Sequence, residues 1–171
     1  RSLPELRLRA AKVLEHVYQA KDEIRQLVRV LEIRREGAAD ESERRDLLRR
    51  MSVLRDERLR DDGGAFATLA ELVPLEPEDA ATRQRFVEIG RRLADHEKVA
   101  AVLTAAADAT TTASTKGEIL MEVARICEDL LEDEPRAEQV YRRVLAIDPD
   151  DAALVIPAAE ALSRIHAAKG R

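Results

Sequence analysis

The chain contains no asparagine and no tryptophan, and aromatic residues make up only 2% of it. It therefore lacks the aromatic platform on which unpaired bases stack, which counts against single-stranded nucleic acid as a partner. A single cysteine, Cys127, cannot form an internal disulfide, which argues against a stapled secreted domain. Six glycines and six prolines in 171 residues leave few places to break a helix, and the alternation of a half-buried strand is found nowhere. No run is apolar enough to span a membrane. No signal peptide is visible at Arg1 and there is no initiator Met, so we expect a segment of a longer protein, with the cytoplasm favoured as its location.

Ala, Leu, Arg and Glu dominate, all good helix formers. Hydrophobic residues make up 45% and charged residues 37%, enough of each for a soluble chain with a core. Arg outnumbers Lys 24 to 5, a bias that suggests a GC-rich bacterial coding sequence. The net charge of −5 is uneven: residues 1–60 carry +4 and residues 61–171 carry −9. Solvated helix faces account for this, as would a basic end that meets an acidic neighbour.

The chain also repeats itself. Shifted by 72 residues it aligns with itself without a gap. Val30-Leu31 falls on Val102-Leu103, Leu48 on Leu120, Asp61 on Asp133 and Ala65 on Ala137. Pro77-Glu78-Asp79-Ala80-Ala81 falls on Pro149-Asp150-Asp151-Ala152-Ala153. A fixed period is the mark of a repeat array, in which each unit contacts its neighbours and extended surfaces replace a central pocket.

Apolar spacing predicts helices near 4–18, 22–36, 41–60, 64–74, 78–94, 96–109, 115–133, 136–147 and 150–168. Breakers recur in step, with Gly63-Gly64 opposite Pro135-Arg136 and Pro77 opposite Pro149. Asp40 with Glu43, and Thr115 with Glu118, have capping-box spacing. Pro135 is placed as a first-turn proline. The expected fold is a right-handed all-α solenoid of about nine helices, a single segment over 1–171. Its antiparallel hairpins lie near 4–36, 41–75, 78–109 and 115–147, with a terminal helix over 150–168. Pro157 falls inside that helix and predicts a kink or a delayed start near Ile156. Ala65 and Ala137 are small where paired helices must approach closely, whereas Ala38 falls in a loop.

The run from Ala137 through Tyr141 and Val144 to Pro149 resembles the second half of a tetratricopeptide repeat, a small residue followed by a large one, a small one and a proline. Ala65, Leu69, Leu72 and Pro77 hold the same places in the other copy. Val123-Ala124 with Cys127, and Met51-Ser52 with Arg55, resemble the first half, with one extra residue between the helices. The hairpins over 6–36 and 78–109 lack the proline and the aromatic and are assigned by period alone. The resemblance implies a non-catalytic scaffold for protein–protein interaction, or an architectural or self-association spacer in a larger helical-repeat protein. Members that clamp a terminal carboxylate do so with Lys and Asn, and with no Asn that clamp cannot be carried over.

Chemistry-bearing patterns are few. Asp148-Pro149-Asp150-Asp151 fails as a calcium loop, since Ala153 stands where Gly is required and Ala159 where Glu is required. His16, His96 and His166 have no Cys or second His at ligand spacing. There is no phosphate-binding glycine loop and no nucleophile elbow around any serine. No catalytic residue, metal or cofactor is expected. Arg44, Arg45, Arg49 and Arg55 lie on one predicted helix and either pair with neighbouring acids or recognise a partner's carboxylates. The last helix, with Leu162 and Ile165, is expected to expose an apolar face and to self-associate weakly through it.

Overall fold

The computed structural model describes residues 3–170. Among them are nine α-helices and no strand: α1 (Leu3–Ala20), α2 (Ile24–Glu36), α3 (Glu41–Val53), α4 (Asp62–Leu72), α5 (Ala80–Leu93), α6 (His96–Ala109), α7 (Ala113–Asp129), α8 (Glu134–Leu145) and α9 (Ala152–Lys169). A π-helical turn, Leu54–Arg58, prolongs α3, and a 3-10 turn, Val73–Leu75, follows α4. Helices pack mainly on their neighbours in sequence. The chain divides into two compact units, Arg1–Leu72 and Val73–Arg171. The expected boundaries lie within two residues of the observed ones, except at the ends of α3 and α7.

Aspartates start the helices. Asp40 accepts from the Glu43 amide at 2.8 Å, while the Glu43 carboxylate accepts from the Ala39 amide at 3.0 Å. Asp79, Asp95, Asp133 and Asp151 cap α5, α6, α8 and α9 in the same manner. Each such cap satisfies one of the free amides of a first turn and contributes about 1 kcal/mol. The expected Thr115–Glu118 box does not form. The helix begins two residues earlier, at Ala113, and the Thr115 hydroxyl instead donates to Glu78 at 2.5 Å.

The 72-residue register extends to the backbone. Among the described residues four non-glycine positions take a left-handed conformation: Asp22 (φ 56°), Arg60 (φ 53°), Ala94 (φ 54°) and Glu132 (φ 52°). Asp22 and Ala94 are one register apart, as are Arg60 and Glu132. The first two close their helices tightly, with Glu23 N–H donating to Tyr18 C=O at 2.9 Å and Asp95 N–H to Gly90 C=O at 3.1 Å. The other two close through a wider turn. Leu59 N–H donates to Leu54 C=O, and Leu131 N–H to Ile126 C=O, each at 3.0 Å. The residue after the left-handed one then donates six residues back, Asp61 N–H to Arg55 C=O and Asp133 N–H to Cys127 C=O, each at 2.8 Å. This is one residue more than in the tight closures, and it takes up the extra residue between the helices of these two pairs.

The core of the first unit gathers Leu27 and Leu31 from α2 with Leu47 and Met51 from α3, bordered by Tyr18, Ala38 and Leu54. One carboxylate, Glu15, is buried beside it at 5% exposure. Arg34 donates to it at 2.5 Å, and Arg50 donates to its other oxygen. Burial pushes the Glu15 carboxyl up, but the two guanidinium hydrogen bonds outweigh this and hold it below the ordinary range. In the second unit Ile119, Leu120, Val123 and Cys127 pack with Ala137, Tyr141 and Val144, all within 2% of complete burial. The Tyr141 hydroxyl donates to Glu128 at 2.8 Å, and Arg164 of α9 donates to the same carboxylate at 2.7 Å.

Ion pairs recur between residues about one hairpin apart. Arg50 meets Glu15, Arg35 meets Glu71 and Arg58 meets Asp22, at separations of 35, 36 and 36 residues. Arg143 meets Asp108, Arg164 meets Glu128 and Arg136 meets Glu97, at 35, 36 and 39. The first three ties lie wholly within one unit and the second three within the other.

Of the kink or delayed start expected at Pro157, the delayed start is not found, and the expected bare apolar face of α9 needs correction. The helix begins at Ala152, five residues before Pro157, so its start is not delayed. Val155 N–H already donates to Asp151 C=O at 2.9 Å, so the first turn closes ahead of the proline. Nor is the apolar stripe bare: Leu154, Ala158, Ala161 and Ile165 are buried, with Ile165 at 3%, because α9 packs on α8 and α7. Leu162 is half-buried, and Ile156 alone among the large apolar residues of α9 is exposed.

Ala65 and Ala137 are fully buried. Ala38 lies in its expected loop but is half-buried against the core cluster, so exposed Ala67 on α4 is the better control. We predict that Ala65→Leu and Ala137→Leu each destabilise by ~1–3 kcal/mol, and that Ala67→Leu stays within about 0.5 kcal/mol. Urea unfolding of the three variants decides it, and equal shifts would remove the packing argument. The left-handed residues yield a second prediction. Glycine carries no Cβ penalty there, so Ala94→Gly and Glu132→Gly should each stabilise by roughly 0.5–1 kcal/mol. Thermal melts of both variants below that of the parent would show that other contacts of these side chains dominate.

Candidate functional site

The four arginines singled out on α3 and its π turn do not form one free patch. Arg44 donates to Glu71 at 3.1 Å, and Arg49 to Asp46 at 3.1 Å. Arg55 is turned inward, its side chain 15% exposed, bonded to Glu32 and to the Thr68 hydroxyl. Arg45 is half-buried, and its Nε is buried without a partner. Three of the four are therefore engaged in ties within their own unit. Among the described residues no group of His, Cys, Asp or Glu is placed to hold a metal ion. Cys127 is buried and its thiol is pushed up by that burial, the state of a small packed hydrophobe rather than a nucleophile. Among the same residues no helix is long and apolar enough to cross a membrane.

Charged side chains gather in the second unit, in a groove of about 540 Å³ walled by α5, α7 and α9. These are the first helices of successive pairs, so their outward faces line up on one side. Arg91 enters from α5, and Glu118, Glu122 and Arg125 from α7. Met121, Leu154 and Pro157 supply an apolar floor. Arg91 and Arg125 have no ion-pair or hydrogen-bond partner among the described residues. Arg83, on the same helix as Arg91, is buried, lies 3.9 Å from Glu118 and donates to the Pro77 carbonyl.

Glu122 sits half-buried between these cations without a hydrogen bond of its own. Burial pushes its carboxyl up, and the nearby charges of Arg91, Arg83 and Arg125 pull it down without cancelling that push. The groove thus offers two free guanidinium forks beside an apolar strip and one carboxylate poorly accommodated in charged form. Such an arrangement could accept an acidic group next to an apolar side chain. Glu118, Glu122, Arg125 and Asp129 follow helical spacing on α7 opposite its apolar stripe. That pattern was the available signal, but on sequence grounds it reads as an ordinary solvated face.

No protein-family model, no curated protein and no solved structure matches the chain.

Glu122 carries a testable consequence. A carboxyl whose folded pKa is raised favours the native state only when protonated, so ionisation costs stability above the unfolded value of about 4.3. We predict that Glu122→Gln melts higher than the parent at pH 7. The difference should shrink as the pH falls and vanish below about pH 4. A pH-independent difference would assign the effect to packing rather than to charge.

Proposed function

We propose that the chain is a non-catalytic protein-interaction scaffold built from tetratricopeptide-like helix pairs stacked as a right-handed solenoid. The repeated ties between residues about 36 positions apart support the stacking, because residues in the same place on consecutive pairs must then be neighbours. The alternation of tight and wide helix closures supports a two-pair period. In this reading the groove walled by α5, α7 and α9 holds an extended peptide segment, with an acidic group on Arg91 and Arg125 and an apolar side chain against Met121 and Leu154.

The observation that carries the proposal is the pair of unpartnered arginines over an apolar floor, in a chain where most arginines are tied to acids. The test is a random-sequence peptide array probed with the whole chain. Enrichment of peptides that pair an acidic residue with an apolar one is expected, and Arg91→Ala with Arg125→Ala should weaken binding about tenfold without changing the melting temperature. An array with no such enrichment, or a double variant that binds as the parent does, would overturn the assignment of the groove.

A further inference from the structure

The first helix has two apolar faces, and only one of them is used. Leu8, Ala11 and Tyr18 turn towards the rest of the first unit, where α1 packs on α2. Leu3 (81% exposed), Leu6, Val13 (66% exposed), Leu14 and Val17 lie on the opposite side in solvent. Together with Ala10, the positions 3, 6, 10, 13 and 17 follow the 3-4-3-4 spacing of a heptad seam. From residue 3 to residue 17 that seam is ~21 Å long.

The register shows what such a face accepts. Ala10, Leu14 and Val17 correspond, two periods on, to Leu154, Ala158 and Ala161 of α9. Those three are buried at 8%, 0% and 4%, whereas Leu14 and Val17 are 40% and 38% exposed. In α9 the covering elements are the helices α7 and α8. The same positions are therefore bare in α1 and occupied by helices elsewhere in the same chain.

Charge narrows the occupant. Exposed Arg7 and Lys21 border the seam on one side and exposed Arg9 and His16 on the other. Arg7 has only a distant acidic neighbour, Glu36 at 3.9 Å. No carboxylate stands within the seam. Glu15 is turned inward to Arg34 and Arg50, and Glu5 lies beyond Arg9 on the far half of the helix. Two copies of α1 laid seam to seam would bring basic flanks together. A lipid surface is disfavoured by the narrowness of the seam and by the lack of any Trp or Phe in it.

We propose that the outer face of α1 is a docking site for an amphipathic helix with a heptad apolar seam and acidic flanks. The partner's apolar residues pack between Leu6, Val13 and Val17, and its Glu or Asp side chains meet Arg7 and Arg9. This surface is separate from the groove of the second unit, and its failure would leave that reading untouched.

The test uses the whole chain and two synthetic heptad-repeat peptides with Leu at the seam, one with Glu and one with Lys at every flanking position. Like-charged flanks keep each peptide from pairing with itself. In fluorescence anisotropy the Glu peptide should bind about tenfold more tightly than the Lys peptide. Val13→Glu should abolish that binding without altering the thermal melt, since Val13 is mostly exposed. Arg7→Glu with Arg9→Glu should reverse the preference. Equal binding of the two peptides, or binding of neither, would overturn the proposal. So would preferential binding of the chain to phosphatidylserine vesicles, or a dimer in light scattering that Val13→Glu dissolves.

Discussion

The architecture depends on where the chain is forced to reverse. A helix can be lengthened at little cost, but the turn inside each helix pair passes through the left-handed region, and among the described residues four non-glycine residues accept it. Their positions, 22, 60, 94 and 132, alternate long and short intervals, and each interval sets the length of one helix pair. Once the intervals are set, so is the identity of the residues that face one another across consecutive pairs. The wide closure at Arg60 and Glu132 matters for this reason. By absorbing one extra residue it keeps Ala65 and Ala137 in phase with the helices they must approach, and both are fully buried.

That phase explains the arginine content. A guanidinium group reaches two acceptors in a fixed fork, so it suits a tie between two helices better than a lysine does. Arg50 uses its fork on Glu15 and Gln19 of α1, and Arg55 spans Glu32 and Thr68. Exposed pairs of this kind contribute little stability individually. Their larger effect is on register, because a slip of one residue would place a cation against the wrong partner. Glu15 is the exception in magnitude: a carboxylate buried between two guanidinium groups costs several kcal/mol if either tie is removed.

How much of this was legible beforehand follows from what each signal measures. Composition and apolar spacing report burial averaged over a helix, so the number of helices and most boundaries could be read to within two residues. The gapless register showed which positions correspond, and the left-handed pairs 22 with 94 and 60 with 132, which no sequence signal marked, fall on it. Partner choice was not legible. Arg44, Arg49 and Arg55 look like a free cationic face in one dimension, and their acids lie on other turns or other helices, some far along the chain. Ile165 looks like an exposed apolar residue on a last helix, because the sequence does not say that α8 and α7 cover it. Glu122 and Arg125 were invisible for the converse reason: a charged residue opposite an apolar stripe is ordinary until the groove around it is known.

The two units differ in the work left to their side chains. In the first, the inward charges are spent on one another, with Glu15, Glu32 and Glu71 each held by at least one arginine. What remains unmatched there is apolar surface on α1. In the second, the outer apolar stripe of α9 is already covered, and what remains unmatched is charge: Arg91 and Arg125 without a hydrogen-bonded acid, and Glu122 without a donor. An apolar seam with basic borders and a groove with free guanidinium groups both favour acidic company, although the chain as a whole carries a net charge of −5. Overall repulsion from an acidic partner is weak beyond a Debye length of about 8 Å at physiological salt. If the two proposed surfaces bind, local complementarity at them, rather than net charge, would set what the chain holds.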